Sequence, residues 1–516
     1  MRDVVNGHGD LLEDALFSVR KQGGDVVVLN LPEVLHLLWC EEVLSFEALQ
    51  AHQRQAWHCF LVQLAALCIC RGGLDEEPED ASAWRAALLT LCDGIEEAFR
   101  LVVEDVSLPA FMQSPIPEGS LAAAKYKEPH RTPDDLDMLV TSKNHDVKMA
   151  RVDNARLEHW VFALVTLQTM EGFLGRGNYG IARMNGGFGS RPLLSYVPAA
   201  TTSARFRHDV QVLRSSRDES LQGALPYRGD GLALCWLKSW DGGKNSGLAL
   251  EALDPFFIEI CRRLRFAWCG EHLECWRANT QGARLDTPKD LNGLTGDPWT
   301  PVLIDKDLPV KALTLSGSGF NYKIVHGILF SGDYVRPPSM RTPVDGDDMV
   351  FVAECLVRGQ GKTEGLHRRE LRVPNNVKRR LLGAPSEHKR LALISMSRVE
   401  AAETMRRSVL YPALGRLSTE GDNVKPDAGK LARWTQAFED RVDACFFPEL
   451  WAAFELDERE AKKKWGGVLE GFAREQLEDA IGSMPISTSG YWRAVSSAES
   501  MFRSCLRKHF GESEEA

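Results

Sequence analysis

The pattern of apolar and polar positions changes character along this chain of 516 residues. Residues 25–31 (Asp-Val-Val-Val-Leu-Asn-Leu) read as a short strand. Pro32 then opens a helical stretch over 33–39, because proline is tolerated in the first turn of a helix. Residues 53–71 have helical length and broad apolar faces carrying Trp57, Phe60, Leu61, Leu64 and Cys68. The helical style continues over 81–104, and 109–131, rich in Pro, Gly and Ser, predicts a loop. A further apolar helix is expected over 157–173, running into a glycine-rich loop at 175–189. From 190 to 350 the pattern is one of short strands broken by Gly and Pro, with examples at 232–237, 301–304 and 349–356.

After Pro374 glycines thin out and long amphipathic patterns take over, at about 386–416, 428–454, 457–483 and 489–511. Turn and cap signals fill the gaps: 418–426, Asp457 and 484–490. Four helices joined by short connections predict an up-and-down bundle. The expected fold class is therefore α+β, a large mixed N-terminal domain over 1–374 followed by a C-terminal four-helix bundle over 375–516. The acidic end, 511–516, is expected to fray, and no internal repeat is visible.

Composition narrows the classes. Hydrophobic residues make up 44%, enough for a sizeable core, and charged residues 26%, as in ordinary soluble proteins. No apolar run reaches membrane-spanning length; the longest, 60–70, is interrupted by Gln63. The first residues lack the basic-then-apolar pattern of a signal peptide, so a cytoplasmic location is expected. The 12 cysteines should then stay reduced, and Cys59, Cys68, Cys92 and Cys355 sit in apolar runs as small core residues. Cys68 and Cys70 are separated by a single residue, and Cys261, Cys269 and Cys275 have no second pair at ligand spacing. Neither a metal nor a cofactor is expected. The net charge of −10 argues against a free-standing nucleic-acid binder. It leaves local binding open, because a subunit of an assembly can borrow positive charge from its neighbours.

Two glycine motifs imitate nucleotide sites. Gly175-Arg176-Gly177-Asn178-Tyr179-Gly180 is a literal G-x-G-x-x-G, but a helix precedes it and more loop follows, where a dinucleotide fold needs a strand and then a helix. A loop whose backbone can approach something closely fits better. Gly359-Gln360-Gly361-Lys362-Thr363 resembles the end of a phosphate-binding loop, yet the required first glycine falls on Leu356. An NTPase using Lys362 is kept as an alternative, beside a plain surface turn. Arg207-His208-Asp209 and Asn144-His145-Asp146 are isolated, read as surface pairs, and nothing supports a nuclease. Basic residues crowd from Arg358 onward: Lys362, His367, Arg368, Arg369, Arg372, Lys378, Arg379, Arg380, Lys389, Arg390 and Arg398. A charge run is usually only a solvated face; this one spans the expected domain junction, where phosphates could be gripped. A polar loop over 141–148 follows Met138-Leu139-Val140 and offers donors suited to sugar–phosphate contacts.

In this order, the pieces resemble the CasA family, the large subunit of type I-E CRISPR Cascade. Residues 10–20 resemble the family's opening segment, with Ala15-Leu16 departing from it. Phe111-Met112-Gln113 is similar to the family's "PFMQ", with Ala110 in place of Pro. Residues 136–148 fall at the first long loop, 160–192 at the glycine loop, 296–301 at a Trp-Pro segment, and Leu366-His367-Arg368-Arg369 just before the helical bundle. The resemblance implies a subunit that reads a short PAM in double-stranded DNA, inserts a wedge that starts R-loop formation, and helps recruit the degrading nuclease, while the CRISPR RNA reads sequence. The partners implied are CRISPR RNA, target duplex, other Cascade subunits and a recruited or fused nuclease, in a prokaryotic cytoplasm, with no membrane. A purely structural subunit is the remaining alternative.

Position by position, the resemblance places PAM contacts at Asn178, Gly180, Ile181, Ala182 and Arg183, and the wedge at Gln360, Gly361, Lys362 and Thr363. The family's wedge glutamine corresponds to Gln360 or to Lys362. Arg284 and Lys289 are the candidates for a further DNA contact, and Arg368 and Arg369 for phosphates. Leu139, Val140, Thr141, Lys143 and Asn144 would face the RNA handle and neighbouring subunits.

Overall fold

A computed structural model describes residues 9–511 except 76, 128, 137–154, 184–190, 305–306, 308, 345, 347–348, 360–361, 384 and 423; the side chains of 359, 362, 363 and 385 are likewise not described. The chain divides into two compact units. The first is Met1–Gly319 with Tyr334–Arg372, and the second is Phe320–Asp333 with Val373–Ala516. A single cut near residue 374 therefore leaves Phe320–Asp333 on the other side from the unit it packs with.

The first unit opens with a three-stranded antiparallel sheet, β1 (Phe17–Lys21), β2 (Val26–Leu29) and β3 (Val43–Phe46), in the order β2-β1-β3. Asn30 stops β2 and starts helix α1 (Leu31–Trp39). Its side chain accepts from the Glu33 N–H at 2.9 Å while the Glu33 carboxylate accepts from the Asn30 N–H at 2.9 Å, a reciprocal cap. Helix α2 (Arg54–Arg71) is buried on nearly every side, which is why its apolar residues form no stripe. Around it pack α3 (Ala81–Leu91), α4 (Leu157–Met170) and α5 (Thr202–Gln222). Trp57 stacks on Phe60 at 5.4 Å and meets Phe162 edge-on at 5.0 Å, fixing α2 against α4.

Two expectations change here. The helix expected over 81–104 ends at Leu91, because Asp93 and Gly94 take positive φ values of 53° and 77°. The 21-residue helix α5 occupies a stretch expected to hold short strands. Its inward face carries Phe206, Val210 and Leu213, but also buried Arg205, His208, Asp209 and Ser216, so polar residues interrupt the apolar stripe.

Strand β4 (Leu193–Val197) pairs antiparallel with β9 (Met349–Gly359), which pairs in turn with β10 (Lys362–Val373). The strands β5 (Leu232–Leu234) and β6 (Leu253–Ile258) form a parallel pair. Another hairpin, β7 (Arg263–Cys269) and β8 (His272–Ala278), runs in continuous register from Arg263↔Ala278 to Cys269↔His272.

The second unit is helical: α6 (Tyr322–His326), α7 (Asn375–Leu381), α8 (Pro385–Thr404), a π-turn over Met405–Leu410, α9 (Tyr411–Ser418), α10 (Ala428–Ala453), α11 (Glu458–Ser483) and α12 (Tyr491–Phe510). Helices thus stand where the amphipathic patterns placed them. Asp427 and Asp457 cap α10 and α11, each accepting a backbone N–H at 2.9 Å. Phe438, Phe446, Trp465, Leu469 and Phe502 fill the interior. The chain is α+β as a whole. Among the described residues no helix is long and apolar enough to cross a membrane.

Candidate nucleic-acid interface

The glycine loop begins where α4 ends, at Glu171. Gly175 and Gly177 take left-handed φ values of 87° and 88°, and paired backbone bonds between Leu174, Gly175 and Asn178 close a tight turn. The turn is docked on the residues after β8. The Thr280 N–H donates to the Gly177 carbonyl at 2.9 Å. The Thr280 hydroxyl donates to the Tyr179 carbonyl at 3.0 Å and accepts from the Tyr179 N–H at 2.8 Å. Gly180 has a different reason to be glycine: a Cβ there would collide with Nη1 of Arg262 and lie 3.0 Å from the Cys261 carbonyl. The loop follows a helix and leads into no helix, so the G-x-G-x-x-G is not a dinucleotide site.

Arg183 is 1% exposed. Its guanidinium lies 4.4 Å over the Phe257 ring and donates to the carbonyls of Phe257 and Pro255, and its N–H donates to Glu259 Oε1 at 2.8 Å. Arg191 is equally buried, and both arginines address one carboxylate, Asp297, at 3.7 Å and 2.6 Å. Burial pushes the Glu259 carboxyl above its ordinary range, against the pull of Arg191 and Arg183. Arg284, 2% exposed, spends its donors on the carbonyls of Cys235, Lys238 and Ser239. Arg183 and Arg284, expected at the DNA, are thus placed in the core, where they support the loops from beneath. Ala182 is buried, Ile181 and Asn178 are half-buried, and Lys289 is exposed on a short 3-10 turn, Lys289–Leu291. The exposed cation of the described glycine loop is Arg176, between the two left-handed glycines. Its flanking glycines were visible in the sequence, but nothing there distinguished it from Arg183.

The second element is the long β9–β10 hairpin. Gln360 and Gly361 lie outside the described residues, Lys362 and Thr363 open β10, and Leu139, Val140, Thr141, Lys143 and Asn144 also lie outside. A strand, not a helix, follows Gly359-Gln360-Gly361-Lys362-Thr363, which removes the phosphate-binding-loop alternative. Arg358, near the end of β9, donates to Glu171 Oε1 at 2.9 Å, and Arg262 donates to Glu171 Oε2 at 3.1 Å. One buried carboxylate therefore joins the root of the glycine loop to the hairpin. Further along, Arg368 pairs with Glu354 and Glu370, and Arg205 reaches Glu354 at 2.7 Å. Arg369 is half-buried on the same strand. Part of the basic run is thus neutralised internally.

Asp209, expected in a surface pair, is a fully buried node. It accepts from the Ser195 hydroxyl at 2.8 Å, the His58 ring at 2.8 Å and the Trp299 indole at 3.1 Å. Because a carboxylate only accepts, His58 Nε2 carries the hydrogen. The carboxylate separates serine from histidine, so these groups form no nucleophile–base relay. Among the described residues no group of three His, Cys, Asp or Glu is arranged to hold a metal ion. Burial pushes the thiols of Cys59 and Cys275 up to about 12, making them inert core residues.

A mixed α/β unit carrying a glycine loop and a long hairpin, with a helical second unit, defines the class. No family model and no curated protein matches the sequence. Solved structures match its fold. Thermus thermophilus CasA matches with a TM-score of 0.65 at 13% identity, covering 97% of this chain and 99% of that one. Thermobifida fusca Cse1 matches at 0.62 and 15%, covering 97% and 98%. A chain of a CRISPR RNA-guided surveillance complex matches at 0.60 and 15%, covering 96% and 99%. The particular fold is that of CasA, also called Cse1, over nearly its whole length.

Proposed function

We propose that this chain is the large subunit of a type I-E CRISPR RNA-guided surveillance complex and that it acts by binding, not catalysis. It reads the PAM in double-stranded DNA with the glycine loop and wedges the duplex open at the tip of the β9–β10 hairpin. Its partners are CRISPR RNA, the target duplex, the other Cascade subunits and a recruited or fused nuclease in a prokaryotic cytoplasm. Its domains are the mixed α+β region and a four-helix bundle formed by the long C-terminal helices. The observation that carries this reading is the full-length CasA-type fold, in which a glycine loop and a hairpin grow from one buried ion-pair cluster.

The chemistry suits the task. The minor groove is narrow and its code degenerate, so close backbone approach is useful there. Gly175 and Gly177 allow that approach, and Arg176 supplies an outward cation for phosphate or groove edge. Arg183 and Arg284 position these elements from below. Gln360 or Lys362 remains the proposed counterpart of the wedge glutamine, with Gly361 and Thr363 completing the proposed wedge. Lys289, exposed on its 3-10 turn, and Arg368 and Arg369, midway along β10, are the proposed additional phosphate contacts. Leu139, Val140, Thr141, Lys143 and Asn144 would face the RNA handle.

The test is duplex binding by guide-loaded complex, with and without this chain, on targets that differ only in the PAM. Binding and discrimination should both depend on the chain. Arg176→Ala should weaken duplex binding about tenfold and lower the salt dependence by roughly one ion. Discrimination that persists without the chain would assign PAM reading to another subunit.

A further inference from the structure

Three buried side chains tie the start of the glycine loop to the stem of the hairpin. Glu171, 5% exposed, follows the last residue of α4, and each of its carboxylate oxygens takes a different arginine. Arg262 lies under the glycine loop: it also donates to the Gly172 carbonyl and to the Cys261 carbonyl, each at 2.8 Å, and Gly180 passes against its Nη1. Arg358 sits one residue before the end of β9. All three side chains are 3–7% exposed. Without the carboxylate, two guanidiniums would share a site with little access to water, where unpaired charge is costly. Glu171 thus joins the two arginines through one carboxylate. A strand is stiff along its length, so a shift of β9 moves Arg358 and pulls on the first residue of the loop.

We propose that Glu171 is a positioning residue that makes the glycine loop and the β9–β10 hairpin one mechanical unit, so that engagement of DNA by the loop is transmitted to the hairpin that opens it. The functional half rests on the DNA-reading role proposed above; the mechanical half does not. Hydrogen exchange on the full chain tests the mechanical half. Glu171→Gln and Arg358→Gln should each speed exchange about tenfold both in 172–180 and in 349–358. Arg358→Lys keeps the charge but not the fork, and should give about a threefold rise in 172–180; it serves if the neutral variants do not fold. Acceleration confined to 349–358 in the Arg358 variants overturns the coupling. In the assembled complex, each neutral variant should lower PAM discrimination and the rate of strand opening together. The double variant should be no worse than the worse single one, because the groups act as a unit. Effects that fall on separate properties and multiply in the double variant overturn the functional half. Wild-type complex without PAM discrimination, but with exchange still coupled, sinks the DNA-reading role and leaves the mechanical tie standing.

Discussion

At the scale of single residues, the loop is governed by groups beneath it. Asp297 is the countercharge for both Arg183 and Arg191, which flank residues 184–190 in the chain. All three are at least nine-tenths buried. Asp297→Asn should therefore destabilise the protein by about 3–5 kcal/mol, the range for breaking a buried pair by removing one partner. Urea unfolding of the full chain reads this directly, and a loss below roughly 1 kcal/mol would mean that water or relaxation compensates the arginines. Gly180 makes a different demand. It is not in the left-handed region, so the obstacle is contact with Arg262 and the Cys261 backbone. The Arg262 tip is held by Glu171 and two carbonyls, and the Cys261 carbonyl at 3.0 Å is backbone, so neither gives way cheaply. Gly180→Ala should cost about 1–3 kcal/mol by overpacking and should alter duplex affinity more than Gly23→Ala, whose Cβ meets nothing within 4 Å and whose φ is not positive. Equal effects of the two substitutions on affinity would remove Gly180 from any special role.

Among elements, the segment Phe320–Asp333 shows how a short stretch can belong to a unit remote in sequence. Tyr322 is buried with its ring 4.8 Å from that of Phe446, and its N–H donates to Asp443. Lys323 reaches Glu403 at 2.8 Å and Glu439 at 3.0 Å. Burial alone would raise the Glu403 carboxyl, but Arg406 and Lys323 hold it down at about 2. The aromatic contact should dominate, because the ion pairs are partly exposed and screened. Tyr322→Ala is expected to cost about 3–5 kcal/mol, and Lys323→Met about 1 kcal/mol or less, in thermal or chemical unfolding. The reverse order would make the ion pairs the true anchor. This contact also marks the limit of sequence reading. The helices α10 and α11 were legible because each repeats an apolar face and begins at an aspartate cap. Helix α5 was not, because Arg205 and Asp209 point inward to partners on β4, β9 and α2, and His208 is buried beside them. The glycines of the loop could be read locally, whereas the burial of Arg183 depends on carbonyls 72 and 74 residues away.

Over the whole molecule, charge inside the fold sets the response to acid. His58 is 11% exposed at the Asp209 node. Burial lowers its pKa from the ordinary 6.5, Arg205 pushes the same way, and Asp209 only partly opposes them. Burial also lowers His159, His326 and His367. Above pH 6.5 His58 is neutral in both the folded and the unfolded chain and contributes no slope. As pH falls below 6.5, the unfolded chain takes up a proton that the fold refuses, so stability present above 6.5 is lost as pH moves down through the folded-state value. The limit for one group is about 1.4 kcal/mol per pH unit. Glu259, raised by burial, works in the opposite direction, which makes a bare pH profile ambiguous. His58→Gln separates the two. Glutamine keeps an N–H for Asp209 but does not titrate, while Glu259 and the other histidines are unchanged. Between pH 7.5 and 5.5, unfolding by urea should show wild type losing about 1 kcal/mol more than His58→Gln. Identical slopes would mean that His58 titrates alike in the folded and the unfolded chain, with burial and the pairing to Asp209 cancelling; a wild type that gains stability relative to His58→Gln as pH falls would make the node a buried ion pair, expected to weaken as pH rises through the histidine's folded-state pKa.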